Sequence, residues 1–76
     1  MNHEPCVLLL FASIHYVLAA EAALKDGGVA PDIVPVPKEI SPDCGMAITV
    51  APADRERAVA LLQATRPTQV LDGWQP

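Results

Sequence analysis

The residue in this sequence best suited to chemistry is Cys44, which lies in a polar loop between Asp43 and Gly45. A cysteine thiolate is a nucleophile, and Gly45 has no side chain to keep a substrate away from the sulfur. Asp43 would oppose ionisation of the thiol if its carboxylate lay close to it. A cysteine in a small protein is also often a buried small hydrophobe, and the sequence leaves that alternative open.

Ser13 and His15 are the residues predicted to assist such a thiol. Ser13 precedes a helical pattern that runs to about Asp26, so its hydroxyl is predicted to cap that helix. His15 falls in the first turn, where an imidazole can pair with a thiolate or supply a proton. The positive end of the helix would also lower the pKa of a nearby thiol. The alternative for His15 is an exposed helix-start residue.

No metal site and no cofactor are predicted. The chain has neither a Cys-x-x-Cys nor a His-x-x-x-His spacing. A two-ligand site made of Cys44 and His15, completed by a second subunit, is the metal-binding alternative. Cys6 begins an apolar strand and is predicted to be structural.

Strands and helices alternate along the chain. The apolar runs predict four strands, at Val7–Phe11, Asp32–Val36, Met46–Val50 and Thr68–Leu71. Helices are predicted after the first and third strands, the first ended by Gly27 and Gly28 and the second opened by Pro52 and Asp54. Residues 72–76 are predicted to form a tail.

This order predicts an α+β, ferredoxin-like βαββαβ fold, with a four-stranded antiparallel sheet and two helices on one face. Pro35 cannot donate to a sheet ladder, so the second strand should lie at an edge. The third strand should lie between the first and second, antiparallel to both. The segments Ala12–His15 and Asp43–Met46 should therefore converge at one edge of the sheet.

Composition limits the classes of function. The 76 residues form one predicted domain, and a chain that is 51% hydrophobic and 18% charged should fold. A net charge of −4 argues against nucleic acid as a partner. The apolar run Cys6–Ala12 is too short to span a bilayer and lacks a basic leader, so a cytoplasmic location without membrane contact is predicted. The small aliphatic core makes a homo-oligomer plausible.

Two motifs carry a resemblance over nearly the whole chain. They are Ser13-Ile14-His15 and the run from Val34 to Gly45, Val-Pro-Val-Pro-Lys-Glu-Ile-Ser-Pro-Asp-Cys-Gly. With the apolar strands around them, they resemble the selenium/sulfur carrier-like family of small bacterial proteins. That family's pattern is Ser-Thr-His, a helix with Ala-Glu, and Val-Pro-x-Pro-Arg-Glu-Ile-Ser-x-x-Cys-Gly.

The resemblance implies a carrier or accessory protein more than a turnover enzyme. Its loop cysteine would be Cys44, accepting and passing on sulfur or selenium as a persulfide-type group. The implied partners are donor and acceptor proteins, for example a cysteine desulfurase. A non-catalytic adaptor that self-associates or docks on a partner enzyme is the alternative from a different class.

The other positions of the family pattern also match residues of this chain. Its Ser and His match Ser13 and His15, its helix Glu matches Glu21, and its Arg-Glu pair matches Lys38 and Glu39. Lys38, Glu39, Asp43 and Gly45 are the predicted binding residues around the thiol. Ile14 in place of Thr removes a hydroxyl, and Lys38 in place of Arg loses the planar two-pronged donor suited to an oxyanion.

Overall fold

Strand β1, Cys6–Leu10, lies inside the sheet because its side chains are apolar on both faces. The computed structural model describes residues 5–40 and 45–75, and in it Val7 to Leu10 are all buried. Successive residues of a strand point to opposite faces, so a run without polar positions requires cover on both. The first strand of the sequence prediction is therefore confirmed, with its limits shifted by one residue.

The remaining elements follow the predicted order. They are α1 (Ile14–Asp26), β2 (Asp32–Pro35), β3 (Met46–Val50), a 3₁₀ turn (Pro52–Asp54) leading into α2 (Arg55–Leu61), and β4 (Gln69–Trp74). None of the helices in the described ranges has the length and apolar character needed to cross a membrane.

The four strands form one antiparallel sheet in the order β2-β3-β1-β4. β3 lies between β1 and β2 and is antiparallel to both, as the sequence predicted. β2 is an edge strand, which suits Pro35, and Pro35 pairs with Met46 at the end of the ladder. The α+β class and the four-stranded antiparallel sheet are thus confirmed.

Both helices cover the same face of the sheet. α1 contributes Val17, Ala20 and Leu24 to a buried cluster that also holds Ala58 of α2 and the adjacent Leu62. The strands supply the alternate residues of this cluster: Val7, Leu9, Ile48 and Val50. The cluster is the main core, and it is largely aliphatic as the composition predicts.

The opposite face of the sheet carries a second apolar cluster and no helix from the described chain. Leu8, Leu10 and Ala47 are buried there, covered in part by Ile40 and Trp74. Trp74 belongs to β4, which continues three residues beyond its predicted end at Leu71. The prediction of a tail from residue 72 was wrong because pairing with β1 and burial of an aromatic ring extend the strand to Trp74.

The ends of α1 differ in detail from the prediction. Ser13 is the N-cap residue, but its hydroxyl makes no capping hydrogen bond. Its backbone carbonyl instead accepts from Tyr16 N at 3.1 Å and Val17 N at 3.2 Å. At the other end, Gly28 takes the left-handed backbone with φ of 84°, whereas Gly27 has φ of −89°. Gly27 is needed for space, since a Cβ there would overlap the side chain of Leu61 on α2.

Candidate functional site

Cys44 and Asp43 lie outside the described residues, so the geometry of the candidate site is that of its surroundings. The described chain stops at Ile40 and resumes at Gly45. Ile40 packs against the second apolar cluster, and its backbone N–H donates to Pro37 O at 3.0 Å. Gly45 O accepts from Val36 N at 3.0 Å. Both ends of the cysteine loop are therefore held to the sheet by described contacts.

Gly45 has a positive φ of 74°, a conformation that glycine adopts at little cost. A Cβ built on Gly45 would meet no described atom within 4 Å. Among the described atoms, the requirement for glycine is therefore one of backbone conformation. The room that Gly45 would leave for a substrate stays a prediction.

Ser13 and His15 lie at the same end of the sheet as Gly45. Leu10 pairs with Ala47, Ser13 follows Leu10 by three residues, and Gly45 precedes Ala47 by two. The convergence of the two segments is thus confirmed for their described residues. His15 is exposed in the first turn of α1, and Ser13 is partly buried.

The first turn of α1 adds backbone donors to this end of the molecule. Tyr16 and Val17 donate their N–H groups to Ser13 O, whereas Ile14 and His15 precede the first intrahelical bond. The Ser13 hydroxyl makes no capping hydrogen bond with these N–H groups. Such a helix start favours a negative charge nearby.

Lys38 and Glu39 are exposed in the turn between β2 and the cysteine loop. Within the described residues, neither side chain makes a hydrogen bond or ion pair that would fix its direction. Glu21 lies about 1.7 turns beyond His15 along α1. Its carboxylate pairs with Lys25 Nζ at 3.5 Å. Glu21 is therefore engaged in an i,i+4 pair on the helix surface, a contact typically worth a few tenths of a kcal/mol, about 0.3–0.5.

Comparison with models of known protein families identifies the family of this chain. Residues 6–69 match the model of a family described as "Putative Se/S carrier protein-like". The chain belongs to this family. No curated protein and no solved structure matches the chain.

The matched range of the Se/S carrier-like family includes every predicted site residue from Ser13 to Gly45. It ends at Gln69, the first residue of β4, so Trp74 and its cover of the second cluster lie beyond it. The family resemblance read from the sequence is confirmed. The roles of the individual residues stay predictions.

The other end of the sheet in this Se/S carrier-like protein holds a pocket that the sequence reasoning missed. Cys6, Asp32 and Thr49 line it, together with Pro52, and its volume is about 280 Å³. Burial raises the pKa of the Cys6 thiol above its ordinary value, and the carboxylate of Asp32 raises it further. The thiol donates to Trp74 O at 3.4 Å. Cys6 is thus held as a neutral, hydrogen-bonded thiol, which agrees with a structural role.

The sequence did contain a signal for this grouping. Side chains two residues apart on a strand point to the same face of the sheet. Cys6 therefore lies on the face of Leu8, and Thr49 lies on the face of Ala47, which is the face without helices. Asp32 pairs with Thr49 in the register of β2 and β3. The signal could be used only once that register was known. A second pocket of about 330 Å³ lies between α2 and β4, with Arg66 as the charged residue in its lining.

Metal chemistry finds no support in the described part of the chain. No group of three or more His, Cys, Asp or Glu side chains comes together among residues 5–40 and 45–75. The alternative of a Cys44 and His15 site involves a residue outside that range. It stays untested.

Proposed function

We propose that this protein carries sulfur or selenium on Cys44, as a persulfide or selenopersulfide. The observation that supports the proposal most is the family match over residues 6–69, which spans the loop cysteine and its flanks. The anchored ends of that loop and the nearby start of α1 add support. The proposal also takes the fold to be ferredoxin-like, supported by β3 lying between β1 and β2.

The transfer step is a thiolate exchange at a sulfane sulfur. The Cys44 thiolate attacks the terminal sulfur of a donor's cysteine persulfide, and a new S–S bond forms at Cys44 Sγ. The S–S bond in the donor breaks, and the donor leaves as a thiolate, so no external oxidant or reductant is consumed. A nucleophile on the acceptor then takes the terminal sulfur and returns Cys44 to its thiolate. The selenium step differs only in the transferred atom.

We infer roles for two residues at the start of α1, the N-cap Ser13 and His15. His15, exposed in the first turn, would accept the Cys44 proton before attack. Ser13 would donate its hydroxyl to the charged sulfur, because that hydroxyl makes no capping bond in the helix. The positive end of α1 would favour the thiolate over the thiol. Lys38 would meet an anionic group on the donor or acceptor by charge alone, without a two-pronged contact.

Sulfur loading tests the proposal directly, and the chain supplies its own matched control. The purified protein is incubated with a cysteine desulfurase and cysteine, and intact mass spectra are taken for wild type, Cys44→Ser and Cys6→Ser. We expect wild type and Cys6→Ser to gain one sulfur atom that dithiothreitol removes, and Cys44→Ser to gain none. Loading of Cys44→Ser as strong as that of wild type, or no loading of wild type, would overturn the proposal.

The two helix residues are tested in the same assay. His15→Ala and Ser13→Ala should each slow loading at neutral pH. Raising the pH should restore the rate of His15→Ala, because a thiol ionised by solvent no longer needs the imidazole. A His15→Ala rate equal to that of wild type at every pH would remove His15 from the mechanism.

A further inference from the structure

The outer surface of α1 is unusually apolar for a helix that faces solvent. The exposed large hydrophobic side chains of the described residues are Ile14, Tyr16 and Leu18, at 42%, 50% and 52% exposure. All three lie in the first two turns of α1. Leu18 lies towards the side opposite the core, and Ile14 and Tyr16 lie on the two flanks. From Ile14 to Ala22 only Glu21 carries a full charge. A helix that is apolar on all sides is normally covered on all sides.

One stripe of α1 points directly away from the core. At about 100° per residue, His15, Leu18, Ala19, Ala22 and Asp26 lie opposite the buried Val17, Ala20 and Leu24. All five of these outer residues are exposed. Their spacing is that of a surface that packs along another helix. We call these five residues the α1 stripe.

We propose that the α1 stripe is the contact surface of a homodimer, in which α1 packs antiparallel against α1 of a second copy. A two-fold interface brings the same surface of both copies together, so each contact occurs twice. With the axis midway between Ala20 and Glu21, Ala19 meets Ala22 of the second copy. His15 then meets Asp26 of the second copy.

Charge complementarity is what selects a second copy as the occupant. The α1 stripe has an imidazole at its N-terminal end and a carboxylate at its C-terminal end, with apolar residues between them. Antiparallel pairing sets the N–H donor of His15 against the carboxylate of Asp26 at both ends of the contact. The positive start of each helix also lies beside the negative end of the other.

Other features of the molecule also favour the α1 stripe as the dimer contact. The sheet face without helices already has its apolar cluster covered by Ile40, Leu71 and Trp74, whereas Leu18 on α1 is about half exposed. Alanines at the centre of the stripe let two helices approach to the short end of the usual 8–10 Å axial separation. A chain of 76 residues also gains from apolar burial beyond its own core. The dimer does not depend on the sulfur chemistry, although both proposals give His15 a role.

Sedimentation velocity of the full chain under reducing conditions tests the dimer. We expect wild type to sediment as two chains of 8.1 kDa, and Ala22→Glu to sediment as one. Ala60→Glu is the matched control, because Ala60 is an exposed alanine on α2. We expect the Ala60→Glu protein to stay dimeric. A monomeric wild type at the highest soluble concentration overturns the proposal. So does an Ala22→Glu protein that remains as dimeric as Ala60→Glu.

A charge exchange tests the orientation of the two helices. His15→Glu places a carboxylate opposite Asp26 of the second copy and should weaken the dimer at least tenfold. Adding Asp26→Lys should restore it, since opposite charges then meet at both ends. The first change adds a negative charge at the helix N-terminus and the second a positive charge at its C-terminus, and both are favourable with the helix dipole. Neither change should therefore unfold the monomer, and circular dichroism checks that it does not. A double variant no tighter than His15→Glu would rule out the antiparallel arrangement. Sulfur loading plays no part in this readout, so the two proposals fail separately.

Discussion

Cys6 is the cysteine whose surroundings the structure describes. Cys6 is half-buried, donates to Trp74 O, and has a pKa raised by burial and then by Asp32. Cys44 follows three loop residues whose described neighbours, Ile40 and Gly45, are held to the sheet. A thiol kept protonated is a poor nucleophile at neutral pH. Under the proposed function, Cys6 should therefore not compete with Cys44 for a sulfur donor.

The influence of Asp32 on Cys6 is open to direct measurement. In a Cys44→Ser background, the pH profile of Cys6 alkylation by iodoacetamide reports its pKa. Asp32→Asn removes the nearby negative charge, so we expect the profile to move to lower pH. Glu39→Gln, which removes a charge beyond the other end of β2, should leave it unchanged. A profile that is unmoved or moves upward in Asp32→Asn would contradict the assignment.

The raised pKa of Cys6 also has a consequence for the folding stability of the protein. The pKa of Cys6 is higher in the folded chain than in the unfolded chain, so the folded state holds its proton to higher pH. Folding stability should therefore be unaffected by this group below the ordinary thiol pKa. It should fall as the pH rises from there through the raised value.

At the scale of elements, the contact of α1 with α2 depends on Gly27. Its φ of −89° is allowed for any residue, so conformation alone does not demand glycine there. The demand comes from Leu61 of α2, whose side chain occupies the space of a Cβ. The side chain of Leu61 on α2 thus lies directly against the backbone of Gly27.

Gly27→Ala should lower the free energy of unfolding by about 1–3 kcal/mol, the usual cost of overpacking. Urea denaturation followed by circular dichroism measures it. In a Leu61→Ala background the same substitution should cost less, because the obstructing atoms are gone. An equal cost in both backgrounds would place the effect in the backbone, and the close contact would then be wrong.

At the scale of the whole molecule, the sheet has two apolar faces and two chemically distinct ends. One face is covered by both helices, and the other relies on side chains such as Ile40 and Trp74. One end holds Ser13, His15 and Gly45, and the other holds Cys6 and Asp32. Gly45 and Cys6 therefore lie at opposite ends of the sheet, whose five-residue strand β3 is about 17 Å long.

The packing of Trp74 on the second apolar cluster can be tested by substitution. Trp74→Ala removes a partly buried ring from the cluster around Leu8 and Leu10, and should cost about 1–3 kcal/mol. Gln75→Ala, next to it and exposed, should cost almost nothing. Urea titrations of both variants give the comparison. Equal stabilities would mean that the end of β4 contributes no packing.

Much of the fold could be read from local sequence because the signals are local. An unbroken apolar run marked β1 as an inner strand, and Pro35 marked β2 as an edge strand, through the chemistry of single residues. The order of elements then predicted which segments meet, and the family motif singled out Cys44. The prediction of Ser13 as the N-cap residue of α1 was correct in position, but its hydroxyl does not make the predicted capping hydrogen bond.

The tertiary structure decided what depends on residues far apart in the chain. β4 reaches Trp74 because β1 offers partners for it, and Gly27 is required because Leu61 lies against it. Cys6 has its raised pKa because strand register brings Asp32 to the same end of the sheet. The sequence by itself determined which residues could do chemistry, through their types and motif. Only packing decided that the Cys6 thiol is held neutral and which surface of α1 stays exposed, because burial and neighbouring charge arise from the assembled chain.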